Sequence, residues 1–223
     1  MELTLSRDLA SVYVLNLARR QDRFEKFLKR AEAAGLKGRL SPQRIPGADG
    51  KAMLATRLNP HANLTESATT MGHRFLWGLA LAHNKPVLIL EDDACFCRNF
   101  SAHLERPLHL PDNLDLLQLG MSWLQTWEHE GPIRTPKHGF GLFSYVLFPE
   151  GAWKLLRRET AAPLGIADHY SKPQPDWDMK IVYPTWVRGE GDDSDIAVRA
   201  NPEQRFGNHF EDGPPVEHLT PEP

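Results

Sequence analysis

Pro86-Val87-Leu88-Ile89-Leu90-Glu91-Asp92-Asp93 is the stretch on which the fold turns. Its first part is a short, wholly apolar run with no polar alternation, the pattern of a β-strand covered on both faces. Three carboxylates follow at once. Side by side they repel one another and lose hydration unless water or a cation compensates. In α/β sheets ligands gather beyond the carboxyl ends of the strands. A hard divalent cation with oxygen ligands, shared with a bound diphosphate, therefore accounts for the cluster. A solvated acidic turn or helix cap is the plainer alternative.

Working outward, Ser11-Val12-Tyr13-Val14-Leu15-Asn16-Leu17 reads as a first buried strand. A helix is expected from Asp22 to Ala34, with Phe24, Phe27, Leu28 and Ala31 at helical spacing and Gly35 as its stop. Residues 46–50, Pro-Gly-Ala-Asp-Gly, form a turn cluster, and a second helix is expected over Thr70 to His83. Leu114 to Leu119 and Phe143 to Phe148 read as further strands, Gly151 to Arg158 as a helix, and Lys180 to Val187 as a late strand interrupted by Pro184. Strands alternating with helices predict an α/β architecture whose central sheet is mainly parallel and flanked by helices.

The chain of 223 residues suits one domain, expected over 1–212, followed by a Pro-rich acidic tail over 213–223 that is expected to be disordered. A net charge of −3 argues against a polybasic nucleic-acid binder. Charge is nevertheless uneven: residues 19–44 carry nine Lys/Arg against three Asp/Glu, and residues 190–223 carry two against nine. No apolar run approaches the roughly 18 to 20 residues of a membrane span. The opening residues lack the layout of a secretory signal. Cys95 and Cys97 are too close for an unstrained disulfide and read as reduced thiols, so a cytoplasmic location is expected.

Around the acidic cluster, alternation along an extended strand puts Glu91 and Asp93 on one side. That makes them the expected metal pair and leaves Asp92 for the ribose or an outer position. His209, or a carboxylate of Asp192-Asp193-Ser194-Asp195, could complete the metal shell. Arg19 and Arg23, four apart just beyond the first strand, share a helix face and have the forked donors that suit a phosphate. Trp177 and Trp186 could stack on a sugar or a base, although a core role is the commoner one for tryptophan.

These residues resemble glycosyltransferase family 25, the lipooligosaccharide and collagen galactosyltransferase group. Val12 to Leu17 followed by Arg19-Arg20-x-Asp22-Arg23 is similar to the family's opening, and Gly47-Ala48-Asp49-Gly50 to its early Ala-x-Asp-Gly turn. Gly72-His73 sits where the family has Ser-His, and Val87 to Asp93 matches its acidic motif. Residues 141–145 with 151–156 resemble its tyrosine strand and Gly-Ala-x-x-Leu-Leu helix, Asp168 falls at a family aspartate, and Tyr183-Pro184 with Ser194-Asp195-Ile196 fits its close. The likeness runs over about 11 to 196. Ala18 replaces an acidic residue, Gly72 replaces the serine, and the Gly-Cys upstream of it is missing.

The resemblance implies a GT-A-type nucleotide-diphosphosugar fold, a UDP-galactose or UDP-glucose donor, Mn2+ or Mg2+ as the cation, and inversion at the anomeric carbon. It further implies donor binding at Asn16, Leu17, Arg19, Arg23, Asp49, His73 and Asp92, and metal binding at Glu91 and Asp93. Inversion requires a general base, expected at Asp168, with Asp176 and Asp178 as fallback. The expected acceptor is a saccharide such as lipooligosaccharide. Two alternatives remain: a phage-type transferase acting on a modified DNA base, supported only by the basic stretch, and a degenerate nucleotide-sugar-binding module, motivated by Ala18 and Gly72.

Overall fold

Apolar side chains on both faces of the central strands require helices on both sides, and the chain supplies them in alternation. The computed structural model describes residues 1–50, 64–121, 123–126, 131–161 and 176–190. A short β1 (Glu2–Leu3) and α1 (Leu5–Asp8) precede β2 (Ser11–Leu17). Helix α2 (Gln21–Ala33) buries Phe27 and Ala31, and the chain leaves it through Gly35, whose φ of 86° favours glycine. After a 3-10 turn over Gly38–Leu40 come β3 (Gln43–Gly47) and α3 (Leu64–His83). Next are β4 (Val87–Glu91), β5 (Ala94–Phe96), α4 (Phe100–Glu105) and β6 (Leu108–His109). Four strands, β7 (Leu116–Gln118), β8 (Trp123–Thr126), β9 (Ile133–Arg134) and β10 (Pro136–Phe140), lead to β11 (Ser144–Leu147). The described chain closes with α5 (Pro149–Ala161), β12 (Met179–Val182) and β13 (Val187–Gly189).

The principal sheet has the order β3-β2-β4-β11-β7-β12-β9. Strand β2 pairs in parallel with β3 and β4, and β12 with β7. Strand β11 runs antiparallel to both its neighbours, β4 and β7, and β9 runs antiparallel to β12. The sheet is therefore mixed, and the expectation of a mainly parallel one fails. The apolar runs report burial on two faces, and β11 is as fully covered as the parallel strands beside it. The pattern carried no information about direction.

One face, with Val14, Leu88, Leu90 and Val146, packs under Phe27 of α2, Phe96 and Phe100. The other, with Tyr13, Leu15, Ile89 and Tyr145, packs under Leu76 and Trp77 of α3 and Leu155 of α5. Strand β3 escaped the sequence reading because Gln43, Arg44 and Pro46 are polar or ring-locked; it lies at the sheet edge, where proline is tolerated. The expected strand over 180–187 divides: β12 stays in the principal sheet, while β13 pairs with β5 in a separate ribbon. Cys95 and Cys97 are buried and unbonded to each other. No helix among the described residues is long and apolar enough to cross a membrane. The 213–223 tail lies outside the described residues.

Because β2, β3 and β4 are parallel, their carboxyl ends meet at one edge: Leu15 lies opposite Glu91, and Leu17 opposite Gly47. Residues 176–178 belong to the opposite edge. There the backbone N–H of Asp178 and Nζ of Lys154 both donate to Oδ2 of the fully buried Asp115, each at 2.9 Å. Asp176 pairs with Arg158 at 2.7 Å, and Trp177 is core. Trp186 is also buried, stacked on His103 at 4.2 Å. The two tryptophans are packing residues, and the fallback aspartates stand away from the acidic turn. Asp115→Ala should lower unfolding free energy by about 2 kcal/mol in a urea titration, by stranding two donors in a partly buried site. A change below about 0.5 kcal/mol would mean that this junction is incidental.

Candidate active site

Strand β4 ends at Glu91, and Asp92-Asp93 turn away from it before β5 begins. The backbone is thus not extended through all three acids, and the alternation expected to pair Glu91 with Asp93 stops short. Asp92 and Asp93 instead address one cation. Arg23, in the first turns of α2, places Nη2 against Asp92 Oδ1 in a short ion pair and 3.7 Å from Asp93 Oδ2. Asp93 Oδ1 is buried without a hydrogen-bond partner.

Two further cations brace the turn. Arg30, only 2% exposed, donates to the Asp92 carbonyl at 2.8 Å and to Glu190 Oε2 at 2.7 Å. The Glu190 backbone N–H in turn donates to the Asp93 carbonyl at 2.8 Å. Arg44 acts through Asn16. Asn16 Oδ1 accepts from Arg44 Nε at 2.8 Å and Nη2 at 2.5 Å, while Asn16 Nδ2 donates to the Arg20 carbonyl at 3.1 Å and to Asp92 Oδ2 at 2.5 Å. Every hydrogen-bonding position of that amide is filled. Asn16 lines the pocket, and what it contributes is the placement of Asp92.

Glu91 is held from below. His73, fully buried on α3, approaches Glu91 Oε1 at 3.1 Å through Nε2 and the Tyr145 hydroxyl at 2.9 Å through Nδ1. The indole of Trp77 donates to the same hydroxyl at 3.0 Å. Trp77 can only donate, so the Tyr145 hydroxyl accepts from it; with Glu91 ionised, His73 donates from Nε2 to the carboxylate and accepts the Tyr145 proton at Nδ1. His73 therefore reaches the site through Glu91.

These groups floor a pocket walled by Leu17, Arg19, Gly47 to Gly50, Thr65 and Thr69. Arg19 Nε donates to Asp49 Oδ2 at 2.7 Å across its mouth. Of the residues singled out in the sequence, Asn16, Leu17, Arg19, Arg23, Asp49, Glu91, Asp92 and Asp93 line this one pocket. Asp168, His209 and the acids of 192–195 lie outside the described residues. The sequence reading missed Arg30, Arg44 and Glu190 as supports, and gave Tyr145 no role. A cation at position 30, seven residues after Arg23 on the face that carries Phe27, was the available signal for a buried anion.

Burial lifts all three carboxyls from their usual range. Glu91 rises to about 7, driven by desolvation and then by the charge of Asp92, with Arg23 opposing. Asp92 rises to about 6 by desolvation, restrained by Arg23 and the Asn16 hydrogen bond. Asp93 rises to about 6 by desolvation and the charge of Glu91, against the pull of Arg23 and Arg30. Among the described residues no group of three His, Cys, Asp or Glu side chains is arranged to enclose a metal. The donor set still fits a hard cation: two carboxylates already converge on a positive charge, and one buried Asp93 oxygen has no partner.

The basic stretch is largely consumed by the fold. Arg19, Arg20, Arg23, Arg30, Arg39 and Arg44 each pair with acids, amides or carbonyls of the protein itself. A family described as "Glycosyltransferase family 25 (LPS biosynthesis protein)" matches residues 10–135, more than half of the chain and the span holding every described pocket residue. No curated protein matches the chain.

The raised carboxyls set a pH dependence. In the unfolded chain they titrate near 4; in the folded protein they hold their protons to about 6 or 7. Their contribution to stability is complete below the unfolded value and is lost as pH rises through the folded ones. The melting temperature of metal-free protein should fall between about pH 4 and 7, and Asp93→Asn should flatten that slope. Identical slopes for the two proteins would contradict the assignment.

Proposed function

The chain belongs to glycosyltransferase family 25 and is a glycosyltransferase, and we propose that it transfers a hexose from a UDP-sugar to a hydroxyl acceptor by a divalent-metal-dependent, inverting displacement. A GT-A-type reading of the mixed α/β fold belongs to the same proposal. The observation that carries it is the convergence of Asp92 and Asp93 on one cation position, at the floor of a pocket that also presents Arg19 and Arg23.

In this reading Asp92 and Asp93 hold Mn2+ or Mg2+ through hard oxygens, with His209 the candidate for a further ligand. Bound there, the cation supplies Lewis-acid neutralisation of the charge that grows on the leaving diphosphate. Asn16 and Arg30 keep Asp92 aimed by fixing its side chain and its carbonyl. Arg19 and Arg23 offer forked donors to the diphosphate oxygens. Leu17 and Asp49 wall the donor pocket, and His73 fixes the orientation of Glu91. Asp168 is the proposed base. It accepts the acceptor's hydroxyl proton as that oxygen bonds to the anomeric carbon, and the breaking C–O bond leaves its electron pair on the phosphate.

A saccharide acceptor, such as lipooligosaccharide, fits the family's description as LPS biosynthesis proteins. The modified-DNA alternative rests on the basic stretch alone, and six of its nine basic residues pair with acids, amides or carbonyls of the protein itself. The degenerate-module alternative rests on Gly72 and Ala18; residue 72 faces the Leu15 side chain, and Ala18 meets Arg44 through its backbone carbonyl. Reduced Cys95 and Cys97 suit a cytoplasmic enzyme.

The test is UDP release from a panel of UDP-sugars with Mn2+ or Mg2+, followed by candidate saccharide acceptors. Turnover should need the metal and be strongest with UDP-galactose or UDP-glucose. Asp93→Asn should lower kcat/KM by about a hundredfold or more while leaving the fold intact. UDP binding that is equal with and without metal would refute the metal site. Binding without transfer to any acceptor would favour the non-catalytic module.

A further inference from the structure

We propose that Arg23 is the resident cation of the acidic turn in the metal-free protein, and that its transfer to the diphosphate makes metal binding depend on the nucleotide. This rests on the metal–diphosphate reading of the site. Arg23 and Asp92 are nearly withdrawn from water, with side chains 11% and 9% exposed. Their ion pair uses Asp92 Oδ1, and the same guanidinium nitrogen lies 3.7 Å from Asp93 Oδ2. Those are oxygens a metal would take, and two cations at that separation repel strongly in a low-dielectric pocket. Either the arginine or the metal can own them.

The two arginines that face the turn differ in burial, with side chains 11% and 1% exposed for Arg23 and Arg30. Arg30 is enclosed and tied at both ends of its guanidinium, to the Asp92 carbonyl and to Glu190, so it stays. Arg23 extends from the start of α2 into the pocket, on a stem of rotatable bonds. It also satisfies the turn incompletely, since Asp93 Oδ1 is left without a partner. A metal arriving alone must displace Arg23 from both carboxylates. A metal arriving with a diphosphate gives that guanidinium a new, bidentate partner. Metal and nucleotide then favour each other's binding by the same factor.

The experiment measures Mn2+ affinity by calorimetry and by electron paramagnetic resonance at pH 8, with and without UDP, for wild type, Arg23→Met and Arg23→Lys. Far-UV circular dichroism checks the fold, and Arg23→Gln stands in should the Met variant not fold. Arg23→Met should bind Mn2+ alone about tenfold tighter than wild type, the equivalent of one charge-assisted hydrogen bond no longer broken. UDP should then improve Mn2+ affinity less than it does in wild type. Arg23→Lys retains a cation and should stay within about threefold of wild type. Mn2+ affinity of Arg23→Met no tighter than wild type overturns the proposal while leaving the metal site standing. Equal tightening in both variants also overturns it, because bulk and not charge would be responsible. Failure of all the proteins to bind Mn2+, with or without UDP, removes the site reading itself and this inference with it.

Discussion

Three adjacent carboxyls cannot be drawn out of water at a strand end without positive charge close by, and the rest of this site is the means of supplying it. Arg23 meets the side chains of Asp92 and Asp93, and Arg30 meets the Asp92 backbone. Arg44 works at one remove, fixing the amide of Asn16 that in turn donates to Asp92. Even so, the carboxyls titrate well above their ordinary range, so the compensation is partial.

That supply comes mostly from one helix, and helical geometry explains how. Arg23, Phe27 and Arg30 are spaced i, i+4 and i+7, which stacks them along a single face of α2. The apolar member of the stripe packs on Phe96, ring centroids 6.1 Å apart, in the strand that begins just after the acidic turn. Core packing and charge compensation therefore act between the same two pieces of chain. A change that rotated or shifted α2 to relieve the core would also withdraw its guanidinium groups from Asp92. The parallel pairing of β2 with β3 and β4 completes the arrangement, since it brings Asn16, Asp49 and the acids to one edge.

Much of this was legible in the sequence. Strand β4 follows from an unbroken apolar run, β2 from a largely apolar one and α2 from its spacing, with boundaries within a residue or so of those observed. The pocket followed from the rule that ligands lie beyond strand ends, and eight of the residues singled out line it. What was not legible was whatever depends on pairing across the chain. The direction of β11 is set by its neighbours, and its apolar residues would read the same either way. Edge strand β3 carries too little apolar signal. The turn after Glu91 redirected Asp92 and Asp93 toward Arg23, where an extended strand would have alternated them. Glu190 lies 160 residues from its partner Arg30, a pairing no local pattern contains.

One departure from the family pattern, Gly72, gains a physical account from packing. A Cβ at residue 72 would stand 2.7 Å from Leu15 Cδ1 and 2.9 Å from Cδ2, so glycine here is the counterpart of a large side chain on β2. Glycine lets α3 lie close against the sheet, and that closeness matters one residue later. His73 must reach both the Tyr145 hydroxyl at the sheet centre and Glu91 at its end, spans of 2.9 Å and 3.1 Å that leave no slack. Any side chain at position 72 would need Leu15 to yield, or the helix to rise and take the imidazole with it. Gly72 and Leu15 are thus one packing solution in two parts, and its effect is to keep the Trp77–Tyr145–His73 relay beneath Glu91 in register. Gly72 is thus a packing residue against Leu15, one position before the imidazole that meets Glu91.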